Sequence, residues 1–164
     1  MIEKYLRRQF KTREKAQYEL RNFALEKLAK SGTNVLIFSD TPFSAYGFIS
    51  SIHSDLHIPI MKDDSGKEMN EDLRVHNSVW CVTKTSLWFE NDSRVRARWN
   101  WMFRGLHIDY VLIDEGNEKY IPNEDYISMI APSIVKKKGK IISFSLEGVP
   151  LRPREQILLN TDTA

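Results

Sequence analysis

The sequence predicts an α/β fold: a mainly parallel sheet of about four to five strands flanked by helices. Three observations carry this. Short apolar runs of four to six residues recur along the chain, as strands buried on both faces require. Longer stretches with helical spacing separate them, the alternation typical of parallel sheets. Several of the runs stop abruptly at polar residues, and ligands of such sheets sit outside the carboxyl ends of strands.

Taken in order, residues 2–30 are rich in Ala, Leu, Glu and Lys and lack Gly and Pro, which predicts one or two helices ended by Ser31-Gly32. Val35–Phe38 reads as a buried strand closed by Ser39-Asp40. Thr41-Pro42 opens a helix to about Ser54, with Pro42 in its first turn. Residues 59–76 are polar and acidic and read as an exposed excursion. Ser78–Thr83 is a second strand, with Leu87–Glu90 as a hairpin partner. Asp92 or Ser93 is expected to cap a helix in which Val95, Trp99, Met102 and Phe103 share a face, ending at Gly105. Tyr110–Ile113 is a third strand. Residues 126–135 read as a helix, with Pro132 a potential break. Lys140–Ser145 is a fourth strand, stopped by Gly148-Val149-Pro150. The expected organisation is a single α/β domain over 1–150, with a helical N-terminal segment 2–30, and a tail over 151–164.

Composition narrows the function classes. The 164 residues carry 24 Lys+Arg against 22 Asp+Glu, so neither a histone-like nor a strongly acidic chain is at hand. The balance hides segregation: residues 1–32 hold nine basic and four acidic residues, and residues 109–125 hold one basic and six acidic. One cysteine, Cys81, excludes an internal disulfide framework or a cysteine-rich zinc site, and is expected in the core. His53 and His57 stand one helical turn apart with no third ligand spaced nearby. No apolar run reaches the roughly 20 residues of a membrane span, and residues 1–10 lack a signal-peptide core. The expected compartment is a reducing cytoplasm, with no membrane partner.

The strongest local signal is Asp109-Tyr110-Val111-Leu112-Ile113-Asp114-Glu115, four apolar residues followed by Asp-Glu. This is the Walker B pattern of P-loop ATPases. A buried strand holds the carboxylates rigidly, the Asp orients Mg²⁺, and the Glu polarises the attacking water. A second feature is basic and aromatic: Trp88, Arg94, Arg96, Arg98, Trp99, Trp101 and Arg104 lie within seventeen residues. Arginine forks suit phosphates and Trp can stack on bases. On a helix, Trp99 would instead join the apolar stripe. Lys136-Lys137-Lys138 and Lys140 form another phosphate-suited cluster, or a solvated turn before a strand.

Arg104-Gly105 precedes the Asp109–Glu115 strand, and Tyr120-Ile121-Pro122-Asn123 follows it. The Lys140–Ser145 strand then ends near Gly148. Over about residues 100–150 this succession resembles the ATPase domain of the large terminase subunit of tailed bacteriophages, a P-loop NTPase. The resemblance implies a terminase-ATPase-like fold. It implies Asp114 on Mg²⁺, Glu115 as the water-activating base, Ser145 as a coupling residue and Arg104 near nucleotide. Upstream, Arg8, Gln9, Lys11 and Thr12 match in type the family's Arg-Gln-x-Gly-Lys-Thr loop, which makes Gln9, Lys11 and Thr12 nucleotide-binding candidates. The glycine does not match: Phe10 stands directly before Lys11. A P-loop wraps phosphate with backbone N–H groups in glycine conformations.

The resulting expectation is a phage-encoded, terminase-ATPase-like domain that has lost a normal P-loop. It would act as an accessory or modulator through protein or nucleic-acid contacts, DNA among them, in the host-cell cytoplasm. Arg94, Arg96, Arg98, Lys136, Lys137 and Lys138 are the candidate nucleic-acid contacts. The alternative is an active Mg²⁺-dependent ATPase working on DNA, with Mg²⁺ and ATP as cofactors. A third reading is an unrelated small α/β domain.

Overall fold

In the computed structural model, the described residues are 5–39, 41–55, 63–67, 79–99, 107–115, 135–148 and 160–163. They form β1 (Tyr5–Phe10), α1 (Arg13–Leu28), β2 (Asn34–Phe38), α2 (Pro42–Asp55), β3 (Val79–Val82), β4 (Ser86–Phe89), β5 (Arg94–Arg98), β6 (Ile108–Glu115), β7 (Val135–Leu146) and β8 (Asn160–Thr163). One sheet takes all eight strands in the order β3-β4-β5-β2-β6-β7-β1-β8. Strands β5, β2, β6, β7, β1 and β8 run parallel, and β3 and β4 join antiparallel at one edge. The mainly parallel α/β sheet flanked by helices is borne out, with more strands than expected.

Three strands stood where the sequence suggested something else. The first is β1, inside the stretch read as helical: α1 begins only at Arg13. Its Arg7, Arg8 and Gln9 break the apolar run expected of a central strand. The second is β5, where a capped helix was expected. Its burial alternates, with Val95 and Ala97 buried and the three arginines half-buried, the period of a strand rather than a helix. Asp92 and Ser93 do not cap a helix there. They belong to the β4–β5 turn, which closes the C-terminus of α1. The Asn91 amide donates to the Leu28 carbonyl (2.9 Å), and the Ser93 hydroxyl donates to the Lys30 carbonyl (2.8 Å). The third is β8, within the segment read as a tail, which pairs parallel with β1.

Both described helices pack on one face of the sheet. Ala16, Leu20, Ala24 and Leu28 of α1, and Ala45, Phe48, Ile49 and Ile52 of α2, are buried at helical spacing. They meet Val35, Ile37, Val95, Ala97, Leu112, Ile142 and Phe144 from alternate strand positions. Phe10 stacks on Phe144 (centroids 6.1 Å apart), and Phe23 of α1 meets the same ring edge-on. Cys81, expected in the core, is only half-buried. Trp99 packs against the core, edge-on to Tyr46 (5.5 Å).

Asp109 lies at the opposite edge from the Asp-Glu pair. Its Oδ2 accepts from the Asn34 backbone N–H (2.8 Å), and its carboxylate pairs with the Lys136 ammonium (3.2 Å). It therefore ties β2, β6 and β7 together at their amino ends. The expected helix over 126–135 has only Val135 among the described residues, and Val135 opens β7.

Candidate functional site

The carboxyl edge of the sheet gathers most of the residues the sequence singled out. Strand register sets Gln9, Ser145 and Glu115 in one row across β1, β7 and β6. One step earlier, Arg8, Phe144 and Asp114 form the next row. Strands β1 and β6 lie two spacings apart, about 10 Å, with β7 between them.

Successive rows face opposite sides. Asp114 shares the face of Phe144 and is 2 % exposed. Its Oδ2 accepts from the Ser39 hydroxyl at a long 3.4 Å. Ser145 faces the other side, fully buried. Its Oγ accepts from Arg7 Nε (2.9 Å) and reaches the Arg8 carbonyl (3.4 Å). These bonds clamp β7 to β1 and give the Nε of Arg7, an arginine that is 1 % exposed in an inner strand, its acceptor. Sequence reasoning missed Arg7, because a buried arginine is legible only once its serine partner is known.

Beyond the row, Phe10 closes β1 and α1 begins three residues later, so Lys11 and Thr12 are the whole connection. Lys11 is exposed. Thr12 is the N-cap, with extended backbone (φ −130°, ψ 155°), and its hydroxyl accepts from the Lys15 backbone N–H (3.2 Å). Glu14 stands in the first turn, where it complements the helix dipole. Arg104 lies outside the described residues.

Two grooves are lined by described residues. One of about 210 Å³ runs between α1 and α2, lined by Arg13, Gln17, Arg21, Phe43 and Ser51 among others. The other, about 340 Å³, lies between α2 and the β3–β4 hairpin, beside His53 and Lys84. Neither is lined by Gln9, Asp114 or Ser145. Among the described residues no three His, Cys, Asp or Glu side chains gather to hold a metal ion. His57 lies outside them.

The basic candidates separate. Lys136 is paired with Asp109 and Lys138 is exposed, both in the first half of β7, away from the carboxyl edge. Lys137 lies in the same strand. Arg94, Arg96 and Arg98 instead form a row along one face of β5, opposite the face that carries Val95 and Ala97. Arg94 lies 3.7 Å from the Trp88 ring centroid. Arg98 donates from Nη1 to the carbonyls of Ala97 (2.9 Å) and Thr85 (3.4 Å). Burial, then repulsion from Arg96 and Arg98, pushes Arg94 down to about 10. Burial lowers Arg96 too, with a further contribution from Arg98, and burial lowers Arg98.

No protein-family model matches the sequence, and no curated protein matches it. Solved structures do. The large terminase ATPase domain of Thermus phage P74-26 superposes with a TM-score of 0.62 at 15 % identity, over 98 % of this chain and 75 % of that one. A point mutant of the same domain gives a TM-score of 0.63 at 15 % identity, over 98 % of this chain and 76 % of that one. Among the described residues no helix is long and apolar enough to cross a membrane. The chain thus has the fold of a phage large-terminase ATPase domain.

Proposed function

We propose that this is a phage-encoded, terminase-ATPase-like domain that has lost a working P-loop and acts by binding. It would serve as an accessory in DNA packaging or as a modulator of host machinery. The two-residue connection Lys11-Thr12 carries the reading. A phosphate cradle needs several consecutive backbone N–H groups turned towards the anion, with glycines that let the chain approach it. Here Phe10 is a core residue stacked on Phe144, and the Thr12 hydroxyl is spent on the Lys15 N–H rather than left for Mg²⁺. Asp114 is 2 % exposed, which also argues against a metal-facing carboxylate. On this reading the capped Thr12 and the buried Asp114 offer Mg²⁺ and ATP no ready cradle. Asp114 and Ser145 then serve as fold elements. Arg94, Arg96 and Arg98 supply the basic surface, and Lys138 adds an exposed cation elsewhere.

The second reading, an active Mg²⁺-dependent ATPase, is favoured by one observation: Gln9, Ser145 and Glu115 share a row beside the end of β1. Turnover separates the two. The full chain with Mg-ATP, with and without DNA, should release no phosphate above buffer, and Glu115→Gln should change nothing. Release of phosphate that Glu115→Gln abolishes would establish the ATPase reading instead.

A further inference from the structure

The β3–β4–β5 edge carries an arrangement that the carboxyl edge does not explain. Strand pairing sets Trp88 opposite Arg94 and Ser86 opposite Arg96, so these side chains share a face. Between Val79 and Cys81 the β3–β4 register shifts, and the residue at that irregularity is Trp80. Such a bulge re-aims a side chain. Trp80 is 60 % exposed, and its ring meets Trp88 edge-on at 5.6 Å. The face therefore reads Trp80, Trp88, Arg94, Arg96, Arg98.

Among the described residues no carboxylate pairs with Arg94, Arg96 or Arg98. The Nε atoms of Arg94 and Arg96 are buried without a hydrogen-bond partner. Three guanidinium groups on alternate strand positions, roughly 6.7 Å apart, repel one another, and a fold that keeps them so bears a cost. An anion of matching spacing would offset it. Successive phosphates of an extended nucleic-acid strand have a comparable separation. The exposed Trp80 ring offers a stacking surface, which a base can use only when it is free of a duplex stack. An acidic peptide would satisfy the arginines but leave that ring unused.

We propose that the Trp80–Trp88–Arg94–Arg96–Arg98 face is a binding site for single-stranded nucleic acid. The proposal rests on the reading of this domain as a binding protein, and it is tested in the absence of nucleotide triphosphate. The probe is a labelled oligothymidylate of about twenty nucleotides, enough for a typical site. A duplex of the same length and a polyglutamate peptide are the comparisons. Binding is followed by anisotropy and tryptophan quenching across about 50 to 200 mM salt.

The expected result is binding that quenches tryptophan emission and favours the single strand over both comparisons. Arg94→Ala/Arg96→Ala/Arg98→Ala should weaken it by more than tenfold and reduce the slope of log affinity against log salt by about 2, near 0.7 per phosphate contact. Trp80→Ala should weaken it roughly tenfold with the salt slope unchanged. Should the triple variant fail to fold, Arg96→Gln alone, checked by its circular-dichroism melt, should reduce the slope by about 0.7. No oligothymidylate binding at low salt would overturn the proposal. So would equal affinity for duplex or polyglutamate, or variants that bind like the parent. ATP hydrolysis, by contrast, would sink only the lost P-loop of the preceding reading and leave its binding face, and this proposal, standing.

Discussion

Replacing Phe10 by Gly puts a glycine directly before Lys11, where a P-loop carries one. The structure says that this residue is core. Phe10 is 2 % exposed and stacks on Phe144, in a strand paired on both sides. Truncating a buried Phe to Ala costs about 3–5 kcal/mol. The further step to Gly in a strand adds about 0.5–1 kcal/mol. The loss is then about 4–6 kcal/mol, and at about 2–4 °C per kcal/mol for a chain of this size the Tm should fall on the order of 10–20 °C. Phe10→Leu keeps most of the apolar volume and should cost roughly 1.5 kcal/mol. Thermal melts by circular dichroism, with and without Mg-ATP, read both effects. Phe10→Gly should show the large drop and no nucleotide response. A variant that kept its Tm and gained a Mg-ATP shift would refute the placement of Phe10 in the core and the reasoning built on it.

Thr12→Ala removes the N-cap acceptor for Lys15 and should cost about 1 kcal/mol, while Thr12→Ser should be close to neutral; chemical denaturation measures both. Gly139→Ala would place its Cβ 2.6 Å from Val135 Cγ2 and 2.7 Å from the Asp109 carbonyl oxygen, where backbone cannot yield. It should destabilise by about 1–3 kcal/mol or more, read by the same denaturation. Arg96→Gln takes one cation out of the repelling row and should raise Tm at low salt, with the gain shrinking as salt rises. Because the fold lowers Arg94 to about 10, with Arg96, Arg98 and Cys81 as its charged and titratable neighbours, the unfolded chain binds that proton more tightly. The cost is therefore present at every pH below about 10 and fades only above it, so the Arg96→Gln gain should be flat from about pH 6 to 9.

The parts legible in the sequence were those with one dominant signal. Val35–Phe38 and Tyr110–Ile113 are continuous apolar runs, Lys140–Ser145 sets Ile141, Ile142 and Phe144 among small serines, and each is part of a strand. Thr41-Pro42 marked a helix start, and the Thr41 hydroxyl does accept from the Ser44 N–H (3.1 Å). What failed to show was polar chemistry satisfied at long range. Tyr5–Phe10 looks like basic helix because the partner that makes Arg7 acceptable in a sheet, Ser145, stands 138 residues away. Arg94–Arg98 carries the period of two in plain sight, but a helical stripe drawn through Val95 and Trp99 outweighed it. At the carboxyl edge, the row Gln9–Ser145–Glu115 follows from register, which no local pattern encodes. The bulge that turns Trp80 towards Trp88 is likewise a product of pairing.

The most direct test of the proposed loss of the P-loop is isothermal titration of the full chain with Mg-ATP, paired with a thermal melt at millimolar nucleotide. A ligand at 100 times its Kd stabilises by about 2.7 kcal/mol, a shift of roughly 5–11 °C here. With Lys11-Thr12 as a bare strand-to-helix connection, the account predicts no titratable heat and no shift in Tm. Saturable binding with a shift of several degrees, abolished by Lys11→Ala, would contradict it.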